Sequence, residues 1–198
     1  YDIVVGDWSS DVCSSDLRGL AALPALTPGD LVLLAAGAYE APLALKVDGT
    51  AEAPIVFRGP EGREPAVIEA DADRPVGVNV QRRKHIFLER VMIGGARQAV
   101  AADGSQHVVV RRCRFEKCDN GVGDDVGSRR LWISDNVMEG NVPFGEKPQS
   151  EPRGVELSGT GHVVAWNRIH SFRDAIDTRN PARKSTRLNS SHRIRARM

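Results

Sequence analysis

His85-Ile86-Phe87-Leu88-Glu89-Arg90-Val91-Met92-Ile93 returns three times along the chain in one frame. It returns as His107-Val108-Val109-Val110-Arg111-Arg112-Cys113-Arg114-Phe115, as Arg130-Leu131-Trp132-Ile133-Ser134-Asp135-Asn136-Val137-Met138, and as Gly161-His162-Val163-Val164-Ala165-Trp166-Asn167-Arg168-Ile169. Each copy is a short alternating stretch, a two-residue kink and a second short stretch. Val91, Cys113, Asn136 and Asn167 hold one equivalent position, separated by 22, 23 and 31 residues. A third stretch follows each pair. Ile93 to Val100, Phe115 to Val122 and Ile169 to Ile176 are each seven residues apart, and Met138 to Val155 is seventeen. The frame is therefore constant, with one ten-residue insertion.

Strands this short, three to a repeat, lack the consistent Asn-Gly or Gly-Gly pairs that close hairpins. Each is predicted to pair in parallel with its equivalent in the next repeat, which makes a β-solenoid whose coils touch only their neighbours. Alternation puts three apolar rows inward: Leu88, Val110, Ile133 and Val164; Ile93, Phe115, Met138 and Ile169; Val100, Val122, Val155 and Ile176. Stacking buries a continuous core that no single coil could form. Asn136 and Asn167 sit at the kink, where an amide tolerates tight geometry and can bond backbone and the next coil's Asn. Their reading is structural, and Cys113 is a substitute in the same ladder. Upstream, Pro28-Gly29-Asp30 is a turn before the buried stretch Leu31-Val32-Leu33-Leu34, and Arg18 to Leu26 reads as a weak helix left from a cap.

The two ends follow different rules. Asp7 to Leu17 resembles the translation of a widely used sequencing-library adapter, and Arg183 to His192 resembles the translation of its opposite strand. Residues 1–17 and 183–198 are accordingly read as adapter-derived and set aside. The alternative is an acidic head and a basic tail. This leaves 18–182 as a β-helix fragment truncated at both ends. The chain carries a net +1 overall, but its tail holds six of the 27 basic residues and its head four of the 26 acidic ones. The remainder is nearly neutral, so the basic tail gives no argument for nucleic acid. No apolar run reaches the ~18 residues of a membrane span. Cys113 and Cys118 alone make neither a four-ligand zinc site nor a disulfide framework.

The order Pro28-Gly29-Asp30, Gly37-Ala38-Tyr39, Gly49-Thr50 and Pro54-Ile55, followed by coils with Asn at one turn, resembles the pectin-lyase-like superfamily. The entry motif is most similar to its chondroitinase-B and alginate-lyase branch and to right-handed β-helix repeat proteins. The resemblance implies an all-β, right-handed parallel β-helix and an extracellular or periplasmic, carbohydrate-active protein, monomeric when intact. Its ligand would be an acidic polysaccharide, cleaved by a lyase or a glycoside hydrolase. A noncatalytic glycan-binding or adhesive β-helix, or a plain spacer, is the alternative, because fold does not imply function.

By the same resemblance, substrate lies along the face built from Gln98–Ala102, Gly121–Asp125, Gly154–Ser158 and Asp174–Thr178. The insertion, about Gly140 to Arg153 with Phe144, Lys147 and Arg153, falls just before it, and a long loop in a tight solenoid points to function. Alternation puts Glu156 and Asp177 side by side on the outer face, with Asp125 and Arg179 alongside. Such a carboxylate pair can share a proton and work on a glycosidic bond. With Asp125 it can also hold Ca²⁺ through oxygen ligands. The expected catalytic residues are Glu156, Asp177 and Arg179, with Asp125, Lys147 and Arg153 as substrate ligands. The branch's lysine base has no counterpart on the strand face, where Ser158 and Gly159 stand. Asp103 and Asp124 read as turn residues, His85, His107 and His162 as strand-start residues, and Trp132 and Trp166 as packing or sugar-stacking rings.

Overall fold

Alternating residues with β-branched and aromatic side chains build short strands here because each strand buries one side and has a neighbour on either edge. The computed structural model describes residues 25–73, 75–143 and 151–178, together with the backbones of Asp2–Val5, Arg18–Gly19 and Arg187–Leu188. The first two of those backbone segments are β1 and β2. Six coils follow. They are β3 (Leu31–Leu34), β4 (Gly37–Glu40) and β5 (Leu43–Ala44); β6 (Ile55–Arg58), β7 (Ala66–Glu69) and β8 (Val76–Asn79); and β9 (Ile86–Glu89), β10 (Val91–Gly94) and β11 (Gln98–Ala101). Then come β12 (Val109–Arg111), β13 (Arg114–Cys118) and β14 (Asn120–Gly123); β15 (Trp132–Ser134), β16 (Val137–Gly140) and β17 (Arg153–Leu157); and β18 (Val163–Ala165), β19 (Arg168–His170) and β20 (Asp174–Thr178). Arg187–Leu188 is β21.

Every strand pairs in parallel with its equivalent one coil away, giving sheets of eight, seven and six strands. The fold is a parallel β-helix. The predicted register holds at each inward row: Leu88 pairs with Val110 and Val110 with Ile133. Ile93 pairs with Phe115, and Val122 with Val155. All of these side chains are buried. Among the described residues there is no helix. Arg18–Gly19, expected in a helical cap, instead pairs with Tyr39–Glu40 as a strand. An open sheet edge offers a row of unpaired backbone groups that favours an added strand over a helical turn.

The coil turns through left-handed corners. Arg90, Arg112, Asp135 and Trp166 share φ between 53° and 58°. The ladder residue follows each corner directly. Asn136 Nδ2 donates to Asn167 Oδ1 at 2.8 Å and to Val110 O at 2.9 Å, and Cys113 N donates to Asn136 Oδ1 at 2.9 Å. Cys113 Sγ donates to Leu88 O, the carbonyl equivalent to Val110 O, so the thiol imitates the amide. Burial pushes the Cys113 thiol up to about 12 and Cys118 to about 11, which excludes both as nucleophiles near neutral pH.

His85 and His107 occupy a second left-handed corner with stacked rings, in keeping with turn roles. His162 departs from this. Gly161, at φ 74°, takes the corner, and His162 is buried one position later, accepting the Leu131 N–H at Nδ1. A corner glycine shifts the histidine from turn to core.

Candidate functional site

The six-stranded sheet β20-β17-β14-β11-β8-β5 carries the candidate site on its outer face. Its outward row reads Ala101, Gly123, Glu156 and Asp177, each in register with the next. Small side chains at the first two positions leave a cleft of about 630 Å³, which Glu156 at the third position also lines. Gln81, Arg97, Gln98, Asp103, Asp119, Asn120, Asp125, Glu151, Arg153 and Glu156 contribute its polar lining.

Glu156 and Asp177 are register partners as expected, but they do not face each other through open solvent. Arg153, read from the sequence as part of the insertion, is the first residue of β17. Its backbone N–H is fixed by Asn120 Oδ1 at 3.0 Å. Its guanidinium reaches three carboxylates: Nη1 lies 3.3 Å from Glu156 Oε1, Nη2 2.6 Å from Glu151 Oε2, and Nε 2.8 Å from Asp177 Oδ2. The Nε–H does not point at Asp177, so that contact is an ion pair and not a hydrogen bond. The Arg153 side chain is only 13% exposed and that of Glu156 12%, so solvent screens their pair weakly. Arg173 also pairs with Glu151, and the two guanidinium groups, Arg173 first, hold that exposed carboxyl below its ordinary range.

The remaining sequence candidates divide. Asp125 is exposed and lines the same cleft, with its backbone N–H donating to Asp103 Oδ1 at 2.6 Å. Asp124 is buried and accepts from the N–H groups of Val126, Ser128 and Ser158 and from the Ser128 hydroxyl, which is the turn role expected for it. Lys147, Arg179 and Phe144 lie outside the described residues. Sequence reasoning missed Gln98, whose Nε2 donates to Gly121 O at 2.7 Å beneath the cleft, and Arg97 at its rim. The three-strand frame could have flagged both, since Gln98 begins the cleft strand and Arg97 directly precedes it.

Calcium does not fit this arrangement. The ion takes six to eight oxygen ligands, and two of the three expected carboxylates, Glu156 and Asp177, already face the Arg153 guanidinium. Among the described residues no group of three or more His, Cys, Asp or Glu side chains is placed to hold a metal ion. No step below is routed through calcium.

The same architecture recurs in solved polysaccharide lyases. An alginate lyase from Paenibacillus sp. str. FPU-7 superposes with a TM-score of 0.62 at 18% identity, over 85% of this chain and 58% of that one. A rhamnogalacturonan lyase gives 0.63 at 14% identity, over 78% and 47%. A pectate lyase gives 0.51 at 16%, over 76% and 39%. The chain shares the parallel β-helix fold of these lyases. It spans about half of their length. No protein-family model matches it, and no curated protein does. At these identities the likeness carries the fold alone. No helix among the described residues is long and apolar enough to cross a membrane.

Proposed function

We propose that this β-helix acts on an acidic polysaccharide bound in the cleft of the six-stranded sheet, outside the cytoplasm. The observation that carries the proposal is the Arg153 guanidinium at the cleft's end, flanked by Glu156 and Asp177. Amide and carboxylate side chains along the cleft suit the hydroxyl-rich edges of sugar rings, since ionised acceptors make the stronger hydrogen bonds. The Arg153 side chain lines the cleft and keeps 13% of its surface exposed, and that edge can meet a uronate oxygen. A guanidinium there favours charge that develops on that carboxylate as the neighbouring C–H is deprotonated. Glu156 or Asp177 is the adjacent group able to take that proton; the C–H electron pair forms a C=C bond, the C–O bond to the leaving sugar breaks, and that oxygen departs with a proton supplied by water, while Arg179 and Lys147 remain part of the proposed set.

Incubating the full chain with polygalacturonate, alginate and a neutral glucan tests the reading. New reducing ends or unsaturated products from an acidic polymer are expected, and Glu156→Gln with Asp177→Asn should abolish them. Turnover unchanged in that double variant would remove both residues from the chemistry. A second reading, glycan binding without cleavage, is favoured by one observation: Arg153 already engages both carboxylates. Binding with no product from any polymer would select it.

A further inference from the structure

The outer face of the eight-stranded sheet carries two columns of side chains that the cleft does not use. Register stacks Val56, Phe87, Val109, Trp132 and Val163 in one column. Their chain neighbours Phe57, Leu88, Val110, Ile133 and Val164 are buried, so this column points outward. Trp132 stands 43% exposed, and Phe87, two strands away and ~10 Å distant, is half-buried. Two residues further along the strands, Arg58, Glu89 and Arg111 stack as the second column.

This second column is layered by charge. The Glu89 side chain is 5% exposed and accepts from Arg58 Nε at 2.9 Å and Arg111 Nε at 2.6 Å. The two arginine side chains remain 35% and 43% exposed. Solvent therefore meets guanidinium edges, with their counter-charge beneath them. The columns run side by side ~7 Å apart, two residues along each strand.

A pyranose ring has an apolar C–H face and a polar rim. Along the helix axis, rings can lie on Trp132 and its apolar column while rim carboxylates or sulfates meet Arg58 and Arg111. We propose that this sheet face is a second polysaccharide-binding surface, selective for acidic chains, with Trp132 as the ring platform and Arg58 and Arg111 as anion partners. Charge complementarity chooses the occupant. This face offers two guanidinium edges against one buried carboxylate, beside an apolar strip, so it suits the rim anions and the C–H faces of an acidic chain together. Tethering a long polymer here raises its effective concentration at the cleft. The proposal rests on the reading above that the ligand is a polysaccharide.

The test uses the full chain, polygalacturonate as probe, affinity electrophoresis and calorimetry at low salt. Trp132→Ala and Arg111→Gln should each weaken binding about tenfold, with Trp132→Phe keeping most of it and the Arg111 effect shrinking as salt rises. Trp132 emission should shift on binding. If Asp125→Asn weakens binding while Trp132→Ala and Arg111→Gln do not, the second surface is wrong and the cleft reading stands. A wild-type chain that binds no polysaccharide overturns both. Equal binding of neutral dextran, or of duplex DNA with the same Trp132 dependence, overturns the acidic-polysaccharide assignment.

Discussion

Replacing Arg153 with Met keeps much of the apolar stem and deletes the charge between Glu156, Asp177 and Glu151. Removing one partner of a fully buried ion pair costs about 3–5 kcal/mol. Glu156 is close to that limit, but Asp177 and Glu151 are partly hydrated and their pairs count for much less. The expected loss is about 2–3 kcal/mol. At ~2–4 °C per kcal/mol for a chain of this size, melting should fall by about 4–12 °C. Urea unfolding followed by backbone circular dichroism measures it, with the m-value checked because solenoids can unfold in parts. Adding Glu156→Gln removes the stranded charge and should recover part of the loss. With the guanidinium gone, millimolar calcium should raise the melting temperature of Arg153→Met and leave the wild type unmoved. A loss below about 1 kcal/mol, or a double variant no more stable than the single, would refute the view that Arg153 neutralises this pair.

Asn136→Ala strips the acceptor from Cys113 N–H and the donor from Val110 O in a buried ladder, and should cost about 2–4 kcal/mol in urea unfolding. Cys113→Asn should extend that ladder and stabilise the chain by about 1 kcal/mol, read as a higher melting temperature. Gly121→Ala would put a Cβ 2.1 Å from Gly154 O, so β14 and β17 must separate under the cleft. Its melting temperature should fall by several degrees, with weaker glycan binding. His162 is lowered in pKa mainly by burial, with Asp124 opposing, so below the ordinary value of 6.5 the unfolded chain takes up a proton that the folded chain resists. Stability should be flat above about pH 7.5 and fall as the pH drops through 6.5, more than in His162→Gln, by urea unfolding at each pH.

The coil period, the three inward rows and the adjacency of Glu156 with Asp177 are legible in the amino-acid order. Side chains alternate strictly along a strand, and parallel stacking repeats one frame from coil to coil, so counting from Val91, Cys113, Asn136 and Asn167 places every later residue on a face. His162 escaped this counting because Gly161, and not the histidine, takes the left-handed corner. The partnership of Arg153 escaped it for a different reason. Its backbone N–H is held by an amide oxygen 33 residues away, and its guanidinium is set by Glu151 and Glu156 nearby and by Asp177 on the next coil.

By itself the sequence determined a parallel solenoid and its register, because those depend on periodic burial; the choice of face for the cleft came from the resemblance. Only the tertiary structure decided which charges meet. It gave the expected carboxylate pair a resident guanidinium, and it stacked Trp132, Arg58 and Arg111 on one sheet face. Long charged side chains choose partners by distance and burial across coils, and neither quantity is written in local order.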